Sequence, residues 1–303
     1  MLNTIISIFT SIVIFFCTLF GINLGGTEPT GYDMYSDIAY GQDAEQVFDL
    51  IIPQGVGNEM GLCVYIHGGG WIGGDKSAES ETVKPFAKKG LVTANVNYRL
   101  LKDGHDELNC KSLLEDINEA VKKIVSFCEE KGISVNKAMF MGESAGGHIA
   151  LMYAYTYYDK CPVEIGFVYS ICGPTDMTDE RYFVDTDFPE DMMLNIQTLL
   201  TGKTVTADNR FSDEIVQAQL EVSPISYVNE NSVPTILNSC GLDRLVPVSN
   251  AETLCDVLEA NGVEYYYKEF YFSNHCGRHA MDFINYTLLD MKLDEMIEKY
   301  VKQ

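Results

Sequence analysis

The sequence predicts an α/β fold: a mostly parallel eight-stranded sheet flanked by helices, with a small helical cap inserted late in the chain. Three observations predict it. Short apolar runs of strand length recur at Ser36–Tyr40, Gln46–Ile52, Leu62–Ile66, Leu91–Asn97, Lys137–Met141, Ile165–Ser170, Thr235–Ser239 and Glu264–Phe270, with helical stretches between them. The clearest helix, from about Glu107 to Lys131, repeats Leu113, Ile117, Val121, Ile124 and Cys128 at three- and four-residue steps, and Gly132 stops it. The regular alternation then breaks from Thr178 to Val222, an irregular stretch too long for an ordinary connection and of the kind that forms lids.

Taken in order, the chain begins with Leu2–Leu24, an uncharged run rich in Ile, Phe, Val and Leu. At ~1.5 Å per residue it is long enough to cross a ~30 Å hydrocarbon layer. Residues 1–26 are therefore expected to be a membrane anchor or a signal segment, with Gly21 or Gly25-Gly26-Thr27 as a small-residue cleavage region. That places the protein on a membrane or outside the cytoplasm. Gly25–Gly31, with Pro29 inside it, reads as a linker, and residues 27–303 as one folded domain. Asp116 on the long helix is expected to be a solvated charge or an ion-pair partner. Ile284, Leu288 and Met291 mark a last helix expected to pack on the sheet.

Composition excludes several functions. With 44 acidic against 21 basic residues the formal net charge is -23, so the clustered cations that phosphate backbones require are missing and nucleic acid is excluded as a partner. Polyanionic substrates are disfavoured for the same reason. The nine cysteines show no Cys-x-x-Cys spacing and read as packing thiols rather than a disulfide or metal framework. His275-Cys276 with His279 lacks a further ligand, so neither a metal nor a cofactor is expected.

Chemistry concentrates between Lys137 and Tyr158. The apolar strand Ala138–Met141 runs directly into Gly142-Glu143-Ser144-Ala145-Gly146 and then a helix, which is Gly-x-Ser-x-Gly in the setting it requires. A serine hydroxyl is a weak nucleophile at neutral pH, so it must be lifted clear of the backbone, near a base and beside N–H donors. A strained turn does this, and the helix start frees the Ala145 N–H for a developing oxyanion. Upstream, the strand Leu62–Ile66 ends in His67-Gly68-Gly69-Gly70-Trp71. Three glycines in a row are entropically unfavourable unless bare backbone is wanted, and Gly68 and Gly69 would add two more oxyanion donors. A phosphate-cradling loop fits poorly, since no Gly-Lys-Ser/Thr ending or Gly-x-Gly-x-x-Gly helix opening is present.

These segments resemble the α/β-hydrolase superfamily, in particular carboxylesterases related to hormone-sensitive lipase and the feruloyl/acetyl-xylan esterase-like and kynurenine-formamidase-like enzymes. The likeness runs from about Asp37 to the C-terminus and includes Asp49 in Phe-Asp-Leu-x-x-Pro, Asn97-Tyr98-Arg99-Leu100, Ser223-Pro224-Ile225 and Gly241-Leu242-Asp243-Arg244-Leu245-Val246-Pro247. It implies the α/β-hydrolase fold and a triad in the order nucleophile, acid, histidine. Ser144 is then the nucleophile and Asp243 the acid, with Asp176 as the competing carboxylate. The base is His275, after Phe272-Ser273-Asn274, with His279 as its alternative. His67 would brace the glycine loop, His105 lies in a charged turn, and His148 faces away from the attack site. In the cap, Tyr182, Phe183, Phe188, Met192, Met193 and Leu194 either wall a substrate pocket or form the cap's own core.

The resemblance implies hydrolysis of a small-molecule or saccharide-linked carboxylic ester, of short-chain acetylesterase type, through an acyl-enzyme. An amide hydrolase of formamidase or exopeptidase type, or a non-catalytic esterase-like binding protein, is the alternative. Acyl and alcohol identity and oligomeric state are not legible in the sequence.

Overall fold

The computed structural model describes residues 29–102, 107–184 and 186–302. The anchor or signal segment expected over residues 1–26 lies outside them, as do His105 and all but the last residues of the linker Gly25–Gly31. Among the described residues no helix is long and apolar enough to cross a membrane.

Eight strands form one sheet: β1 Gly31–Ala39, β2 Val47–Gln54, β3 Glu59–Ile66, β4 Val92–Val96, β5 Ser134–Glu143, β6 Glu164–Ile171, β7 Thr235–Cys240 and β8 Tyr265–Phe270. Their spatial order is β1-β2-β4-β3-β5-β6-β7-β8. β1 with β2 and β2 with β4 are antiparallel, and every later pairing is parallel. The predicted fold class is met, and each predicted strand lies within a few residues of its expected place.

The central strands are apolar on both faces because each face is covered. On β3, Leu62, Val64 and Ile66 join one core while Cys63 and Tyr65 join the other, and on β5 Ala138 and Phe140 part in the same way from Met139 and Met141. The first face is covered by α2 Cys110–Glu130, α3 Ala145–Thr156 and α7 Val248–Ala260, the second by α1 Ser80–Lys88 and α8 Phe283–Tyr300. The stripe predicted on α2 is wholly buried. This helix starts later than the sequence suggested because Asn109 caps it, its side chain accepting from the N–H groups of Lys111 and Ser112.

Asp116 proves to be the ion-pair partner. Its carboxylate, 2% exposed, takes Arg99 Nη2 at 2.7 Å and the Arg99 backbone N–H at 2.9 Å, and Gln46 Nε2 adds a bond at 2.9 Å. This pins the segment after β4 that carries Asn97-Tyr98-Arg99-Leu100. The last helix packs on the sheet as expected, but through a different face. Ile284, Leu288 and Met291 are its solvent side, at 63%, 41% and 47% exposure, whereas Leu289, Leu293, Met296 and Ile297 face the sheet. The buried set has i, i+4, i+7, i+8 spacing and makes the wider apolar stripe, and one residue of helical rotation, about 100°, separates the two choices.

The irregular stretch folds as a cap of three short helices: α4 Arg181–Val184, α5 Glu190–Thr201 and α6 Asp213–Glu221. They rise from the carboxyl end of β6, above the ends of the parallel strands, where ligands of open α/β sheets bind.

Candidate active site

At the end of β5 the chain turns sharply at Ser144, whose backbone has φ 51° and ψ -122°, before α3 begins at Ala145. A non-glycine residue held there is strained, and the surroundings hold it. The Ser144 N–H donates to the Ile171 carbonyl at 2.8 Å, and its own carbonyl accepts the His148 N–H at 3.0 Å. Close approach dictates the flanking glycine: a Cβ on Gly146 would stand 2.1 Å from the Ile66 carbonyl oxygen and 2.5 Å from that of His67. The elbow therefore wedges against the end of β3, and β3 delivers the glycine loop to the same place.

In that loop Gly69 has φ +115°, open to glycine alone, and a Cβ there would meet the Gly73 carbonyl at 2.2 Å. A Cβ on Gly68 would lie 3.3 Å from Ser144 Cβ, so the loop backbone runs beside the serine. Neither the Gly68 nor the Gly69 N–H takes part in a backbone hydrogen bond among the described residues. The Ala145 N–H opens α3, where the first turn of a helix leaves its amides free. Bare donors from two segments thus meet at one serine.

The predicted acid and base are joined directly. His275 Nδ1 stands 2.7 Å from Asp243 Oδ2, and the Asp243 side chain is only 1% exposed. The other carboxylate oxygen, Oδ1, accepts the backbone N–H groups of Leu245 at 2.8 Å and Val246 at 3.0 Å. The carboxylate is thereby fixed at both ends, and it leaves Nε2 as the free face of the imidazole. Ser144 and His275 line the same cavity, of about 410 Å³.

The competing residues go elsewhere. Asp176 Oδ1 accepts the Thr178 N–H at 2.9 Å and its hydroxyl at 2.6 Å, a local turn that starts the cap. His279 accepts the Met281 N–H and opens the short turn before α8. His67 stacks on Tyr98 with ring centroids 4.5 Å apart, and its Nδ1 is 2.7 Å from the Gly68 carbonyl.

Two positioning residues had no clear signal in the sequence. His148 is not among the residues lining the cavity, but it is not idle: its Nδ1 accepts the Trp71 indole N–H at 3.1 Å and its Nε2 lies 2.8 Å from the Val222 carbonyl. The pair of bonds assigns the proton to Nε2 and ties the glycine loop to α3 and to the cap's last turn. Burial pushes the His148 pKa down to about 4, against the opposing bond to Val222. Asn250, buried on α7, has its Oδ1 approached by the Thr175 N–H at 2.8 Å, the Asp176 N–H at 3.0 Å and the Tyr182 hydroxyl at 2.9 Å. It fastens the helix behind the Asp243 loop to the cap.

Apart from Glu143, Ser144 and His275, the cavity wall is mostly apolar. Of the six cap residues that the sequence left between wall and cap core, Tyr182, Phe188 and Met193 line it, joined by Met177, Ile196, Leu245 and Val246. Met192 is 41% exposed, Phe183 instead lies under the Arg210 guanidinium at 4.3 Å, and Leu194 is not part of the wall. Among the described residues no cluster of His, Cys, Asp and Glu forms a metal site.

Comparison with known proteins places the chain. It resembles the kynurenine formamidase of Danio rerio at 26% identity over 129 residues, 42% of this chain and 41% of that protein. The chain thus spans less than half the length of that curated relative. Among solved structures it superposes on a truncated carbohydrate esterase from gut microbiota with a TM-score of 0.70 at 16% identity, covering 89% of this chain and 99% of that one. Esterase B of Lactobacillus rhamnosus gives a TM-score of 0.69 at 17% identity, covering 97% and 95%. The BD-FAE family model matches residues 48–258, which hold the glycine loop, Ser144 and Asp243, with His275 beyond its end. With that match over most of the domain, the chain belongs to the BD-FAE family of α/β-hydrolase esterases.

Proposed function

We propose that the protein is a serine hydrolase that cleaves carboxylic esters of small molecules through an acyl-enzyme. The observation that carries this is the buried Asp243 holding His275 through Nδ1, with His275 and the strained Ser144 lining one cavity. In this reading His275 Nε2 takes the Ser144 proton as the hydroxyl attacks the ester carbonyl. Asp243 keeps the imidazole in the required tautomer and stabilises the imidazolium that forms. The N–H groups of Gly68, Gly69 and Ala145 hold the oxyanion, each donor being worth ~100- to 1000-fold in turnover. The imidazolium then protonates the leaving alcohol, and a water activated by the same imidazole releases the acid.

The wall of Met177, Tyr182, Phe188, Met193 and Ile196 supports an uncharged acyl or alcohol group. Each methylene that enters is worth about 0.8 kcal/mol, so kcat/KM is expected to rise roughly fourfold per carbon until the cavity is filled. Saccharide-linked esters belong to the same proposal, supported by the likeness to the gut carbohydrate esterase. The uncharged Leu2–Leu24 run supports work at a membrane or outside the cytoplasm, which fractionation of a tagged full-length chain tests.

Amide hydrolysis is the second reading, favoured by the likeness to kynurenine formamidase. Matched p-nitrophenyl butyrate and butyryl p-nitroanilide separate the two. An esterase turns over the ester alone at a useful rate, and Ser144→Ala lowers that rate by about 10⁴-fold or more. Preference for the anilide, or unchanged turnover in the variant, contradicts the reading.

A further inference from the structure

Three thiols meet behind the site. Cys172 follows β6, Cys240 ends β7, and Cys276 follows His275. The Cys172 and Cys240 sulfurs are 3.3 Å apart, and both residues are buried, at 2% and 0% exposure. Cys276 is half-buried and lines the cavity beside Ser144 and His275, and its thiol reaches the backbone carbonyl of Ile171, the residue directly before Cys172. That carbonyl, 3.8 Å from the thiol, is the same oxygen that receives the Ser144 N–H. Cys276 therefore touches both halves of the site: the chain that carries the imidazole and the carbonyl that holds the elbow.

The backbone at these thiols is strained as well. Cys172 and Cys276 have φ 50° and 52°, beside φ 51° at Ser144. Non-glycine residues in that region persist only where their surroundings over-determine them, so a new covalent tie between the two cysteines acts on strained backbone directly next to His275.

We propose that Cys276 and Cys172 are a redox modification site in which a small hydroperoxide entering the cavity closes a disulfide and draws His275 out of position. In the first step the Cys276 sulfur attacks the peroxide, the O–O bond breaks, and Cys276 becomes a sulfenic acid as water or an alcohol leaves. In the second, the Cys172 sulfur attacks the sulfenic sulfur, the S–O bond breaks, and water leaves with the thiol proton. Overall two thiols lose two electrons and two protons to one hydroperoxide. Cys276 is the entry because it alone of the three lines the cavity. An S–S bond is about 2.05 Å long, so sulfurs at non-bonded distance must close by more than ~1 Å. A displacement of that size at a catalytic group lowers turnover by about 100-fold.

The test is treatment of the purified full chain with hydrogen peroxide, alkylation of remaining thiols, and peptide mass analysis beside ester kinetics. The expected product joins the Cys172 and Cys276 peptides at a mass two hydrogens below their sum. Turnover falls by about 100-fold with it and returns with dithiothreitol. Cys172→Ser keeps its untreated turnover, but its peroxide loss goes on to the sulfinic stage and dithiothreitol no longer restores it. The joined peptide is read by mass, so it stands or falls independently of the ester reading. A bridge between Cys172 and Cys240 alone, no bridge at all, or a wild-type loss that dithiothreitol leaves in place overturns the proposal.

Discussion

The Asp243 carboxylate is held from two directions at once: Oδ2 meets His275 Nδ1 at 2.7 Å while Oδ1 takes the N–H groups of Leu245 and Val246. The loop that presents the acid also fixes its angle, so the imidazole is oriented by backbone rather than by a flexible side chain. Replacing Asp243 with Asn leaves most of that geometry but offers His275 a donor in place of an acceptor. Turnover is expected to fall by about 10³- to 10⁴-fold with the circular dichroism spectrum unchanged. A fall below tenfold in steady-state kinetics means Asp243 is not the acid.

His148 predicts a pH dependence of stability. It is fully buried and its pKa is pushed down to about 4 from 6.5, so the unfolded chain binds its proton more readily than the folded one. Its contribution is then fully present above about pH 6.5 and is lost as pH falls toward 4, by roughly 3 kcal/mol at most. Chemical denaturation at pH 7.5 and 4.5 should show a smaller loss in His148→Gln than in the wild type. Equal losses in the two proteins refute the assignment. Because His148 also accepts the Trp71 indole N–H, the same variant should lose turnover at pH 7.5 by loosening the glycine loop.

Gly146 predicts a steric failure. An alanine Cβ there meets two backbone carbonyl oxygens, at 2.1 and 2.5 Å, and neither can swing away as a side chain would. Gly146→Ala is expected to destabilise the fold by more than about 3 kcal/mol and lower its melting temperature accordingly. By contrast Gly132→Ala, with nothing within 4 Å of the added Cβ but φ +75°, should lose only the smaller strain of a left-handed alanine. A Gly146→Ala protein that melts like the wild type would mean the elbow and β3 are not in such contact.

Strand positions were legible because buried parallel strands announce themselves as continuous apolar runs, as Leu62–Ile66 and Ala138–Met141 do, whereas their order in the sheet was not. The elbow and glycine loop were legible because their shapes require glycines at fixed offsets. The face of α8 was not, since Leu288 and Leu289 are equivalent in composition and only packing on the sheet distinguishes them. Nor were the roles of His148 and Asn250, whose partners Trp71, Val222 and Tyr182 lie 77, 74 and 68 residues away. Cys63 and Cys240 are buried as thiols in or beside strands should be, but the meeting of Cys172, Cys240 and Cys276 depends on three strand ends converging, which no local pattern encodes.

The most direct measurement is labelling of the purified protein with a fluorophosphonate, followed by mass analysis of the modified peptide. One adduct per chain on Ser144, absent in Ser144→Ala and strongly slowed in His275→Ala, is the predicted result. An adduct on another residue, or labelling that survives Ser144→Ala, contradicts the account.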